Sequence, residues 1–239
     1  RDGIDWEVED PDDPWSHIGY WGDHQIIYLL KFLEQSSRFH PGRLGELLHR
    51  PIFSYANVPY RIRSFDELVA NPKRTVHYDC ALAARIADRV ATIGADGKRV
   101  LDRSGDVYQV NLLEKLLVPL LAKFGNLVID GGIWLSTQRP EWNDANNALV
   151  GHGVSMVTLY YMRRYVRFLQ QLLAEEAGTV ELSAEVGEWL ADTSAALANL
   201  RQLLGNGPID PDRRWQSMQQ LGLAASRYRL SVYREHPFS

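Results

Sequence analysis

The run Leu112-Leu113-Glu114-Lys115-Leu116-Leu117-Val118-Pro119-Leu120-Leu121-Ala122-Lys123-Phe124 decides the fold class. Leu113, Leu116, Leu117, Leu120, Leu121 and Phe124 recur at three- and four-residue spacing, the period of a helix face. A stripe this wide has to be covered by other elements, so a helix over 110–124 belongs inside a packed domain. Pro119 lies within it, has no N–H to donate, and predicts a kink or a division of the helix.

Downstream, Leu127–Ile129 and Ile133–Leu135 flank Asp130-Gly131-Gly132, which predicts a hairpin, with a buried irregular loop as the alternative. A helix is predicted over about 154–175, with Tyr161, Tyr165, Phe168 and Leu172 on one face and Tyr160 joining Tyr161 and Tyr165 in a core stripe. Another over 180–204 groups Leu182, Val186, Trp189, Leu190, Leu197, Leu200 and Leu204. The last starts at Asp210-Pro211, an N-cap followed by proline at the first helical position, and runs to about Arg234.

Upstream, residues 94–109 carry Asp96-Gly97 and Gly105-Asp106 and read as a hairpin or tight loop. A helix over 75–93 sets Val76, Cys80, Ala83, Ala87 and Val90 on one face and stops at Gly94. Residues 38–72, broken by Pro41, Pro51, Pro59 and Pro72, read as a long loop with short helical turns. Residues 22–35 give a helix with Ile26, Leu29, Leu30 and Leu33 inward. Residues 1–16, acidic and rich in Pro and Trp, read as an extended segment ahead of a helical domain spanning 17–239. The expectation is an all-α fold of helical hairpins with minor β-hairpins in its loops. A ring of such hairpins gathers its loops at two ends, where a site can form.

Composition narrows the function classes. Hydrophobic residues make up 45% and charged residues 23% of the 239, ordinary values for a folded domain. The 26 basic and 30 acidic residues leave a net charge of −4 with no basic stripe, which argues against nucleic acid. No apolar run reaches the roughly 18 residues that suggest a membrane span. The single cysteine, Cys80, forms no internal disulfide and reads as a small core residue in a reducing, cytoplasmic compartment. Because the chain opens on Arg1 rather than Met, it reads as a processed, tagged or excised piece, with the remaining domains of a parent protein as partners.

Two polar stretches carry the chemistry. Arg139-Pro140-Glu141-Trp142-Asn143-Asp144-Ala145-Asn146-Asn147-Ala148-Leu149-Val150-Gly151 packs two carboxylates, a tryptophan, three asparagines and an arginine between apolar elements. Polar groups at that density cost desolvation unless they are satisfied or used. Cleaving a glycosidic bond needs a carboxylic acid that keeps its proton until the leaving oxygen takes it. An aromatic wall such as Trp142 raises a carboxyl pKa by desolvation and also stacks on a sugar face. Asparagine amides both donate to and accept from sugar hydroxyls. From composition alone, Asn143 and Asp144 capping a helix is the favoured reading.

The second stretch, Gly19-Tyr20-Trp21-Gly22-Asp23-His24-Gln25, sets aromatics, an acid, an imidazole and an amide at the start of the first helix. Here Asp23 as an N-cap is favoured on spacing alone. His24 lacks a neighbouring ligand at metal spacing, so no metal is expected. His152 reads as a satisfied loop histidine, with anion binding as the alternative.

The run from Glu141 to Asn147 and on to Gly151 resembles the Trp-Asn-Asp signature of the cellobiose phosphorylase-like glycoside hydrolase family, within the six-hairpin glycosidases. Trp142, Asn143, Asp144, Asn147 and Gly151 match, and Glu141 stands where that family usually has aspartate. Gly19–Gln25 resembles the family's Gly-Tyr-Arg-Asp-x-x-Gln segment, but Trp21 replaces the arginine, Gly22 replaces the aspartate and Asp23 is displaced by one.

The resemblance implies part of an (α/α)6 barrel and an inverting reaction on an oligosaccharide, by hydrolysis or phosphorolysis. Asp144 would be the general acid, with Glu141 tuning it or orienting substrate. Trp21, Asp23, Gln25, Trp134, Arg139, Trp142, Asn143, Asn147 and His152 would contact sugar. No cofactor is implied; inorganic phosphate is a candidate co-substrate, and a homodimer is compatible. The alternative is a noncatalytic carbohydrate-binding or structural helical domain.

Overall fold

The computed structural model describes residues 26–136, 149, 151–176, 178–204, 207–234 and 238. Among these, the elements in chain order are α1 (Ile27–Phe39), α2 (Arg43–Leu48), β1 (Phe53–Ser54), β2 (Tyr60–Ile62), α3 (Phe65–Ala70), β3 (Val76–Tyr78) and α4 (Cys80–Ile93). A 3-10 turn over Gly94–Lys98, β4 (Gln109–Val110), α5 (Leu112–Phe124) and β5 (Ile133–Trp134) follow, then β6 (Val154–Ser155), α6 (Met156–Ala174), α7 (Ala184–Leu203) and α8 (Pro211–Val232). The architecture is mainly helical, as the stripes predict. The described helices do not close into a barrel.

The core is built on α5. Leu116, Leu117, Leu120 and Leu121 are at most 7% exposed, and they pack with Leu30, Leu33, Leu48, Met162, Tyr165, Val186, Trp189 and Ala225 from five other helices. Of the kink or division predicted at Pro119, the division does not occur: α5 continues through it from Leu112 to Phe124. The physical reason is a balance of magnitudes. A proline inside a helix costs about 3 kcal/mol, whereas each fully buried leucine contributes on the order of 2 kcal/mol, and four of them straddle the proline.

A buried carboxylate anchors the start of α5. Glu114 is 1% exposed. It accepts from the Ser183 backbone N–H (2.7 Å), from the Ser183 hydroxyl (2.6 Å) and from the Tyr55 hydroxyl (2.9 Å). Because the Ser183 proton goes to Glu114, the Tyr108 hydroxyl donates to Ser183 Oγ at 2.8 Å. Burial, followed by the Glu114 charge, pushes the Tyr55 phenol far above its ordinary pKa, so it stays a donor. The cluster ties β1, the β4 strand's approach and the N-cap of α7 to α5.

α7 and α8 form an antiparallel hairpin, with Trp189 stacked on Tyr228 at 4.1 Å and Arg227 bonded to Asp192 at 2.6 Å. The Asp210 side chain caps α8 as predicted, accepting from the N–H groups of Asp212 and Arg213. α3 packs on α8 where Gly222 leaves room for the Phe65 ring.

Several expectations need correction. The 38–72 region contains α2, β1, β2 and α3 rather than a long loop with helical turns alone. Val76 lies in β3, antiparallel to β2, and helix α4 starts only at Cys80. Cys80 is exposed, not in the core. Leu82 is the residue α4 buries, because the helix rests on the opposite side from its alanine-rich face. Tyr160 is 63% exposed, while Tyr165 is fully buried and Tyr161 and Phe168 pack on the core edge. Leu204, at 60% exposed, lies past the end of α7.

Candidate functional site

Helices α1 and α6 lie side by side, and residue pairing gives their direction. Lys31 Nζ sits 5.9 Å from the Tyr161 ring centroid, and Arg164 Nη2 reaches Glu34 at 2.7 and 2.9 Å. A step of three along α1 is a step of three along α6, so the helices are parallel. Beyond their C-terminal ends, His49 Nε2 meets Glu176 at 3.1 Å, in the same sense. Ile26, at the start of α1, is fully buried. The two N-terminal ends are therefore at one end of the pair. Gly19–Gln25 joins the chain at one of these ends, and the stretch ending at Gly151 joins at the other.

The hairpin expected around Asp130 forms, with Leu127 bridged to Ile133 and Asp130 in the left-handed region at φ 60°. Its second arm does more than predicted. Ile133 and Trp134 also pair with Ser155 and Val154 in an antiparallel ladder. Leu135 N–H donates to Gly153 at 3.0 Å, and Gly151 N–H donates back to the Leu135 carbonyl at 2.7 Å. The Trp134 indole N–H donates to the Gly151 carbonyl at 3.3 Å. Residues 135 and 151 are thus held together, and the Ser155 side chain caps α6 immediately afterwards by accepting from Thr158 N–H.

Gly151 explains its own identity. Its φ is +80°, and a Cβ there would collide with the Pro72 carbonyl. Both the backbone angle and the close approach demand glycine.

Of the predicted site residues, Trp134 is half-buried at this clamp and His152 is exposed beside it, its N–H donating to the Leu149 carbonyl at 2.9 Å. Trp21, Asp23, Gln25, Arg139, Glu141, Trp142, Asn143, Asp144 and Asn147 lie outside the described residues, as does the 1–16 segment. Among the described residues there is no group of three or more His, Cys, Asp or Glu side chains arranged to hold a metal ion. No described helix is long and apolar enough to cross a membrane.

Sequence reasoning missed a cavity of about 680 Å³ between α4 and the end of α8. Arg61, Arg85 and Arg89 line it from one side, and Tyr55, Tyr228 and Phe238 from the other. Phe238 stacks between Tyr55 (5.2 Å) and Tyr108 (4.7 Å). Arg61 bonds Asp79 at 2.8 Å and the Tyr233 carbonyl at 2.9 Å. Asp79 also caps α4 through Leu82 N–H, and that bond, followed by the one from Arg61, holds its carboxyl below the usual aspartate range. The one trace in the sequence is the four-residue spacing of Arg85 and Arg89, which sets them on one helix face.

No protein-family model and no curated protein matches this chain.

Proposed function

We propose that this chain is part of a carbohydrate-active domain of (α/α)6 type that acts on glycosidic bonds by inversion. In this reading Asp144 protonates the departing glycosidic oxygen. Phosphate, or a water activated by a second carboxylate, attacks the opposite face of the sugar. A carboxylate base would stand ~6.5–9.5 Å from Asp144, leaving room for the water. Glu141 and Asp23 orient the substrate, and Trp21, Trp134 and Trp142 offer their faces to sugar rings.

The observation that carries the reading is the parallel register of α1 and α6. Two stretches resembling one family's sugar-contacting segments are far apart in sequence, yet they join the scaffold at the same end of one helix pair. A capping role for each would not require this. The clamp holds residues 135 and 151, between which the second stretch runs in sequence, close together, and Trp134 stands at the clamp. The cytoplasmic placement expected from the single cysteine goes with this reading.

The test is turnover of a panel of α- and β-linked glucobioses and longer glucans, with and without inorganic phosphate. The anomer of the first-formed product is read by NMR. The expectation is an inverted product, with a roughly 10²–10⁴-fold loss of turnover in Asp144→Asn. Full turnover in Asp144→Asn, or glycan binding with no cleavage under either condition, overturns the enzymatic reading; the latter outcome leaves a binding domain.

A further inference from the structure

We propose that the cavity between α4 and the end of α8 binds a ring-bearing organic anion: a sugar or similar ring carrying a phosphate or carboxylate. This goes beyond the glycosidic reading and does not use Asp144. The cavity's volume, about 680 Å³, is in the range that encloses small organic ligands.

Its charge is one-sided. Arg61 is spent on Asp79. Among the described residues, Arg85, Arg89 and Arg234 remain on the lining, against the carboxylate of Asp88. Arg89 is the most telling of the three. Its Nε and Nη2 are sealed from solvent, and neither has a hydrogen-bond acceptor. A guanidinium stripped of water on two nitrogens, with no carboxylate bonded to it, keeps a strong field that water screens poorly. An anion in the adjoining cavity offsets that field without touching the sealed nitrogens, and the exposed Arg85, one helical turn earlier on the same lining, is the guanidinium that bonds it directly.

The rest of the lining selects the body of the ligand. Tyr228, whose one face lies on Trp189, gives the cavity an aromatic wall with Tyr55 and Phe238 beside it, suited to a ring rather than to a bare inorganic ion. The excess of guanidinium over carboxylate excludes a cationic ligand.

Isothermal titration of the protein with glucose 6-phosphate and with glucuronate tests this, with glucose and inorganic phosphate as the neutral and ringless probes. The two charged sugars are expected to bind and glucose is not; the affinities are expected to fall as salt is raised. Arg85→Glu, at an exposed position, is expected to weaken both by about tenfold or more with an unfolding curve close to the parent's. Arg89→Gln is expected to do the same wherever its unfolding curve matches the parent's. The proposal is overturned if neither charged sugar binds, if Arg85→Glu leaves their affinities unchanged, or if inorganic phosphate binds as tightly as glucose 6-phosphate. Should Arg89→Gln fail to fold, Arg85→Glu decides alone.

Discussion

Arg164 grips Glu34 across 130 positions of sequence, one Nη2 bonding both carboxylate oxygens at 2.7 and 2.9 Å. The pair fixes the parallel register of α1 and α6 in description, but it does not supply much of the energy. Both side chains are well exposed, at 54% and 38%, so water screens them. A double-mutant cycle with Glu34→Ala and Arg164→Ala is expected to give a coupling below about 1 kcal/mol in urea unfolding. The register rests instead on buried contacts. Leu30→Ala is expected to cost about 2–5 kcal/mol, and Tyr165→Phe, which loses the bond from its hydroxyl to the Leu116 carbonyl, about 1 kcal/mol. A coupling above 2 kcal/mol would show that the surface pair organises the helices after all.

The Glu114 cluster should be intolerant of a change that looks slight. Glu114→Gln keeps the shape but replaces one acceptor oxygen with an N–H₂ donor. All the partners at that site, Ser183 N–H, the Ser183 hydroxyl and the Tyr55 hydroxyl, are themselves donors. At least one buried donor must lose its acceptor. Equilibrium unfolding is expected to show a loss of about 2–4 kcal/mol. A loss under 0.5 kcal/mol would mean that the cluster repacks freely.

Asp79 links stability to acid pH. Its carboxyl is held below the ordinary value by the Leu82 N–H and then by Arg61, so the folded form binds a proton less readily than the unfolded chain. The resulting stabilisation is complete above the unfolded pKa of about 3.9 and is lost as pH falls through the lower folded value. Asp79→Ala is expected to lose about 1–2 kcal/mol at pH 7. The gap from the parent should narrow below about pH 4. Thermal unfolding across pH 2–7 checks both; a gap independent of pH would disconnect Asp79 titration from folding.

Two glycines test close backbone approach. Gly222→Ala would push a methyl into the Phe65 ring, and Gly151→Ala would meet the Pro72 carbonyl at a positive φ. Both are expected to destabilise by at least about 1 kcal/mol. Only Gly151→Ala is expected also to loosen the 135–151 clamp, read as faster hydrogen exchange of the amides at positions 151 and 135.

What the sequence discloses follows from the range of each interaction. The α1, α5, α6 and α7 stripes are legible because a 3.6-residue period is local, and Asp210-Pro211 and Gly94 mark helix ends by local chemistry. Strands of two or three residues are not legible, since Ile133 becomes a strand residue only when Ser155 arrives beside it. The reading of α4 fails for a different reason. Its alanines give a periodic face of little volume, and one leucine on another side outweighs it in choosing what to bury. The cavity arginines come from separate elements, so no motif spells them. Of the resembling stretches, the structure describes Leu149 and Gly151, with Trp134 and His152 on the flanks, and there the glycine has a clear steric cause.

The side-by-side alignment of α1 with α6 also has a temporal consequence. Parallel neighbours cannot be joined by a tight turn, so their pairing must wait for the intervening chain to close a loop of some 130 residues. The α7–α8 hairpin, whose Asp192 and Arg227 are only 35 positions apart, closes a much shorter one. Pulse-labelled exchange during refolding should therefore protect the hairpin amides before those of α1.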